Sequence, residues 1–202
     1  MDPSVFIHPQ ALCESDRVGA RTRIWAFAHV LPGAVIGADC NICDHAFVEG
    51  SVRVGDGVTI KNGVQLFDGV VVEDDVFLGP NCIFTNDRNP RAAVKKGADE
   101  AVPTRLERGA TVGANATVVC GTTLHAYAFV GAGAVVTRNV PAHAMVVGNP
   151  ARAVGWMCRC GTRLGEDLVC GCGLRYRLRS AHEGLEQVPM MGSAPDEARV
   201  ER

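Results

Sequence analysis

The chain has 202 residues, 47% of them hydrophobic and 21% charged, with a formal net charge of -2. That length supports one sizeable core and a small appendage, and excludes two large domains. The balanced charge excludes the basic field that binding to nucleic acid or to an anionic membrane requires, so the expected partner is a small molecule, not nucleic acid and not a membrane.

The amino-terminal MDPSVFIHPQ has no basic segment followed by an apolar run, so no signal peptide is expected, and no stretch is apolar and long enough to span a bilayer. Cys13, Cys40, Cys43, Cys82 and Cys120 are scattered singly, as small buried residues are, and a reducing cytoplasm is the expected compartment.

From Val18 an aliphatic or aromatic residue returns at every sixth position: Ile24, Val30, Ile36, Ile42, Val48, Val54, Ile60, Leu66, Val72, Leu78 and Phe84. Four residues after each of them up to Leu78 stands a small or β-branched residue, from Thr22, Ala28 and Ala34 through Val76 and Cys82. A helix would bring its apolar face back every three or four residues and a strand every two, so a sustained period of six predicts short strands joined by turns. If three repeats close one triangular coil, residues eighteen apart stack at roughly 4.8 Å. Glycine at the second position of several repeats (Gly19, Gly37, Gly55, Gly79, Gly113, Gly131) is expected to provide the corner conformations.

The period breaks after Phe84 and resumes at Leu106, Val112, Val118, Leu124, Val130 and Val136, so residues 86–105, polar and broken by Pro90 and Pro103, are expected to leave the coil as a loop. Stacking puts Asp68 and Asn86 at one position of successive coils, where the loop departs. Arg88, Arg91, Lys95, Lys96 and Arg105 make the loop locally basic; Arg88 and Arg91 are the candidates for a pyrophosphate, and Lys95 and Lys96 are read as solvated surface. Asp44 and His45 in NICDH, with Lys61 and Gln65, are further substrate-site candidates, His45 because a neutral imidazole can serve as a general base. Glu107, His125 and His143 also recur at eighteen, but the coil is expected to end near Pro141, so a surface ladder is the reading rather than a metal site.

Near the carboxyl end, Cys158-Arg-Cys160 and Cys170-Gly-Cys172 form two tight pairs, a pattern that resembles a small zinc ribbon in which four thiolates close a structural Zn2+ site on a peptide too short for its own core. The domain layout read from these features is a β-helix over 1–156, a four-cysteine zinc-ribbon-like module over 157–178 and a disordered tail over 179–202.

The repeat, an aliphatic residue followed by Gly with a small residue in fifth place, resembles the hexapeptide-repeat acyltransferases. That resemblance implies a left-handed parallel β-helix, an all-β fold, and a homotrimer with sites between subunits. RIWAFAHVLPGAVIG, NICDHAFVEG, VTIKNGVQLFDGV, EDDVFLGPN and FTNDRNPR are similar to segments of the N-acetyltransferases of dTDP-3-amino-3,6-dideoxyhexoses, with a sister group acting on UDP-linked 3-amino uronates. The implied activity is acetyl transfer from acetyl-CoA to the 3-amino group of a nucleotide-linked amino sugar, dTDP-linked before UDP-linked; an O-acyltransferase of the same fold and a non-catalytic interaction protein are the alternatives. Asn86 then lies beside the amine, Asp68 orients that amine or takes its proton, and the leaving CoA sulfur is an alternative proton acceptor. GANATVVCG, GAGAVVTRNVP and VVGNPAR are similar to the acyl-CoA side of these enzymes, with Gly113, Ala114, Gly131 and Ala132 as a ledge for the pantetheine arm and Arg152 for a CoA phosphate.

Overall fold

The computed structural model describes residues 2–188. Two-residue strands dominate, and pairing is parallel between positions one coil apart: Arg23↔Asn41, Asn41↔Thr59 and Thr59↔Phe77 on one face, His29↔Phe47 and Phe47↔Gln65 on the next. Three faces result. The first, a nine-stranded sheet, runs from Phe6–Ile7 to Ala144–Val147 and closes on the antiparallel Arg152–Trp156; the second runs from Leu12–Cys13 to Val135–Val136; the third, from Val35–Ile36 to Thr123–Leu124.

Every residue that the six-residue period turned inward is buried, with Ile24, Ile42, Ile60, Leu66, Leu78, Phe84, Leu106 and Leu124 at 0% exposure. Each such side chain contributes roughly 1.5–3 kcal/mol relative to exposure, and their layering, not local propensity, holds these two-residue strands together. The polar members of the set are paired: Thr22 donates its hydroxyl to the Gly37 carbonyl (2.8 Å) and accepts from Cys40 N (3.0 Å), and Thr122 donates its hydroxyl to the Val119 carbonyl (2.9 Å). Burial pushes the Cys82 thiol up to about 12, which makes it an inert packing group.

The corners are built differently from the sequence expectation. Gly19, Gly37, Gly55, Gly79, Gly113 and Gly131 do not have positive φ; the left-handed positions lie two residues further on and are held by Gly33, Gly57, Gly63, Gly69, Gly109, Gly121 and Gly133, and by Arg21, Phe27, Asp39, His45, Asp75, Asn81, Asn115 and Tyr127. The second-position glycines are required for another reason. A Cβ on Gly37 would stand 2.4 Å from the Gly55 carbonyl oxygen, and one on Gly113 2.5 Å from Ala132 N. Coils approach there too closely for any side chain.

The loop leaves after Ile83–Phe84 and the coil resumes at Thr104–Leu106, paired Val70↔Thr104, so Thr104 and Arg105 belong to the coil rather than to the loop. Val102 N donates to the Asn86 carbonyl (2.9 Å) and closes the neck. No helix among the described residues is long and apolar enough to cross a membrane.

After Arg152–Trp156 the chain builds a second hydrophobic cluster of Cys158, Leu164, Cys170, Tyr176 and Leu185. Its hairpin, Arg175–Ser180 with Gly184–Val188, occupies part of the stretch expected to be disordered from 179 onward; that expectation fails through 188, and its remainder, 189–202, lies outside the described residues. Apolar Leu178 and Leu185 face each other across the hairpin, and Glu186 accepts from both Arg177 and Arg179 (Nε, 2.7 and 2.5 Å), so charge and packing together order a segment that reads as polar.

Candidate active site

The edge between the second and third faces carries Asp68 and Asn86. Gln65 pairs with Ile83, so three residues on, Asp68 and Asn86 occupy the same position of successive coils. Ser51 N donates to Asp68 Oδ1 (3.0 Å), which fixes the carboxylate from the coil below. Glu49 Oε2 accepts from Asp68 N (2.6 Å), and burial, reinforced by the neighbouring Asp68 charge, raises the Glu49 carboxyl above its ordinary value. Glu49 was missed in the sequence. Its signal was the same register: it stands one residue before the position of Asp68 in the preceding coil, where a search for stacked acids would have found it.

The Asn86 side chain makes no hydrogen bond among the described residues, while its backbone is pinned by Val102. It borders a cavity of 360 Å³ formed under the loop with Asp87, Pro90, Arg91, Lys95 and Glu100 among its walls. Lys96 bonds Asp87 Oδ2 (2.6 Å), and that ammonium holds the Asp87 carboxyl below its ordinary value. Lys96 is thus a strut of the loop rather than free surface. Arg105 is occupied by Glu73. Arg91 lines the cavity, and Arg88 lies over Gly121, its Nε donating to the Cys120 carbonyl (3.3 Å); a Cβ on Gly121 would stand 2.3 Å from the Arg88 guanidinium.

The other substrate-side candidates are elsewhere. Asp44, His45 and Lys61 sit on the edge between the first and second faces, with His45 at a positive φ of 60° and stacked on Phe27 (centroids 5.0 Å apart, 14° between planes). Gln65 stands on the second face between the two edges. Four or five residues at about 3.3 Å each separate those edges, a distance on the order of 15 Å. Within one chain His45 does not meet Asn86.

On the same edge as His45, towards the carboxyl end, Val112 pairs with Val130 and so stacks Gly113 on Gly131 and Ala114 on Ala132. The ledge expected there exists, but its glycines face the neighbouring coil, leaving Ala132 and Gly133 as its exposed part. Arg152 opens the closing strand, exposed, beside a cavity of 210 Å³.

His125 Nδ1 lies 3.1 Å from Glu107 Oε1, the surface ladder expected. His143 leaves that column: it is 6% exposed, stacked on Tyr127 (5.0 Å) and against Tyr176 (4.8 Å), and bonds the Met157 carbonyl through Nδ1 (2.8 Å).

The four module cysteines place their sulfurs within 4.8 Å of one another, with Cys158 to Cys172 at 3.6 Å and Cys160 to Cys170 at 3.5 Å. Four sulfurs at about 2.3 Å from one zinc ion sit roughly 3.8 Å apart, so the set fits a tetrahedral four-thiolate site. Each pair is a tight knuckle ending in a left-handed glycine, Gly161 (φ 89°) and Gly173 (φ 93°), with Cys158 N donating to Thr162 O and Cys170 N to Leu174 O, both at 2.8 Å. Hydrogen bonds to Thr162 lower the Cys160 thiol to about 6, which favours the thiolate a metal needs.

Comparison with known proteins agrees with this architecture. The bacterial transferase hexapeptide family matches residues 17–50, and the hexapeptide repeat of succinyl-transferase matches 103–138. The chain is 49% identical over 175 residues to the dTDP-3-amino-3,6-dideoxy-alpha-D-galactopyranose 3-N-acetyltransferase of Aneurinibacillus thermoaerophilus, covering 85% of this chain and 90% of that protein. A mutant of AntD, an N-acyltransferase from Bacillus cereus solved with dTDP and coenzyme A, shares the fold at a TM-score of 0.57 and 16% identity, over 78% of this chain and 83% of that one. A hexapeptide-repeat acetyltransferase from Vibrio cholerae, complexed with acetyl coenzyme A, shares it at 0.51 and 24% identity, over 69% of each chain. The chain is therefore a left-handed parallel β-helix and belongs to the hexapeptide-repeat acyltransferases, in the family of the dTDP-3-amino-3,6-dideoxyhexose N-acetyltransferases.

Proposed function

We propose that this protein transfers the acetyl group of acetyl-CoA to the 3-amino group of a dTDP-linked amino deoxysugar. The observation that carries the reading is the 49% identity to an enzyme of that activity over 90% of its length. The reaction asks little covalent chemistry of the protein. A neutral amine attacks the thioester carbonyl, an oxyanion forms and the CoA thiolate leaves, so holding the two substrates together supplies much of the rate. In this scheme the unpaired Asn86 amide binds the amine or the developing oxyanion, and Asp68, steadied by Ser51, orients the amine. Glu49, whose carboxyl burial raises above its ordinary value, is the protein group assigned to receive the amine proton; the leaving sulfur is the other acceptor. Arg88 and Arg91 at the loop answer to the pyrophosphate.

Gly113, Ala114, Gly131 and Ala132 are assigned to the pantetheine arm and Arg152 to a CoA phosphate. His45, with Asp44, Lys61 and Gln65, serves the site of a neighbouring subunit in a homotrimer. The apolar side chains that the coil turns outward near them, Leu12 (53% exposed), Phe27 (52%) and Ile83 (47%), offer surface for that contact. The carboxyl-terminal module holds a structural zinc ion through Cys158, Cys160, Cys170 and Cys172. Nine unbridged cysteines suit the cytoplasm.

Thiol release followed with DTNB, using acetyl-CoA and a panel of dTDP- and UDP-linked amino sugars, tests the reading. Turnover with dTDP-linked 3-amino sugars is expected; hydroxyl acceptors preferred over amines, or no turnover with any amine, would refute it.

A further inference from the structure

The acetyltransfer reading leaves unexplained why a solenoid enzyme carries a four-cysteine module at its carboxyl end. The hairpin of that module is fastened to the coil. Ala142 N donates to the Glu183 carbonyl (3.2 Å) and Leu185 N to the Ala142 carbonyl (3.1 Å). Gly184, at φ 88°, permits the approach, since a Cβ there would stand 2.1 Å from the Ala142 oxygen. Ser180 and Glu183 brace the turn between the strands, Glu183 N donating to Ser180 Oγ and that hydroxyl bonding Glu183 Oε2, both at 3.0 Å.

This docking sets His182 on the wall of the 210 Å³ cavity that Arg138 and Arg152 also line, with Thr137 and Asn139 beside them. Asn139 is fixed by accepting from Thr123 N (2.9 Å). Among the described residues no acidic side chain lines the cavity and neither arginine is in an ion pair. Two guanidinium groups and an imidazole left without counter-charge around one concavity, floored by Val136, Val140 and Val146, make a receptor for a phosphorylated group. The cavity and the Ala132–Gly133 ledge stand at opposite ends of Val135–Val136, on the order of 15 Å apart, which suits a long donor whose acyl and phosphate ends are well separated.

We propose that the carboxyl-terminal hairpin completes the pocket for the phosphate end of the acyl donor, with His182 acting beside Arg138 and Arg152. The inference rests on the acetyl-CoA reading and extends it: the module is part of the donor site and not an independent appendage.

Calorimetric titration of the full-length protein with CoA, 3′-dephospho-CoA and dTDP tests it. CoA is expected to bind about tenfold or more tightly than 3′-dephospho-CoA, and His182→Ala and Arg138→Ala each to weaken CoA by about tenfold while leaving 3′-dephospho-CoA and dTDP unchanged. Gly184→Val, which lifts the hairpin from Ala142, is expected to reproduce the His182→Ala loss. CoA binding that is indifferent to the 3′-phosphate or to His182 overturns this inference alone. Failure of the wild type to bind CoA at all overturns the acetyltransfer reading, and this inference with it.

Discussion

His143 joins the coil to the four-cysteine module, and its replacement measures how firmly the two are coupled. Its ring lies between Tyr127 and Tyr176, at 5.0 and 4.8 Å, and its Nδ1 bonds the Met157 carbonyl. Each aromatic contact contributes about 0.5–1.5 kcal/mol and the hydrogen bond about as much, so His143→Ala should cost about 2–4 kcal/mol. The loss is local: amide hydrogen exchange should accelerate over 157–188 and stay unchanged over the coils around Leu66 and Leu78. Burial lowers the His143 pKa from its ordinary 6.5, so the native state disfavours the imidazolium. The contribution is therefore complete above pH 6.5 and shrinks as pH falls below it, because the unfolded chain then binds the proton more readily. His143→Phe, which keeps the ring stack without the titration, should lose the part of the acid destabilisation that begins below that pH. Equal acid sensitivity of wild type and His143→Phe in urea melts, or exchange that speeds equally in coil and module for His143→Ala, would refute the coupling.

Three further outcomes are expected. Gly37→Ala pushes a methyl onto the Gly55 backbone 2.4 Å away and should cost about 1–3 kcal/mol or more in thermal or urea unfolding, whereas Ala38→Ser, one residue on, should be nearly neutral. Mass spectrometry under native conditions should find one zinc ion per chain; Cys160→Ser should weaken its retention against a chelator and loosen 157–188, while the wild-type coil melts unchanged after metal removal. Asp68→Asn keeps the shape and the bond from Ser51 N but removes the charge; kcat/KM for the amino sugar should fall about tenfold to a hundredfold, with the KM for acetyl-CoA unmoved.

Much of the fold was legible because a six-residue period leaves few alternatives: each of Ile24, Ile42, Leu66 and their partners must point inward or the whole register fails. The glycines were misread because a sequence shows that a side chain is missing, not whether φ or a neighbouring coil forbids it. Gly37 and Gly57 look alike, yet the first is excluded by contact and the second is at φ 67°. The hairpin was missed because Arg177, Arg179 and Glu186 read as solvated charge until they face one another across two strands. At the site, column arithmetic brought Asp68 to Asn86, but it did not separate the edges of the coil, so His45 was grouped with residues on the order of 15 Å away. Arg138 and His182 lie 44 residues apart in sequence and meet only through the docking of Gly184.

The most direct test of the account compares acetyl transfer by wild type, Asn86→Ala and His45→Ala with acetyl-CoA and a dTDP-linked 3-amino sugar under DTNB detection. Loss of an amide that binds the amine or the oxyanion predicts a fall of about 10²–10³ in kcat for Asn86→Ala and a far smaller one for His45→Ala. Comparable losses in the two variants, or a wild type that turns over no amine, would contradict it.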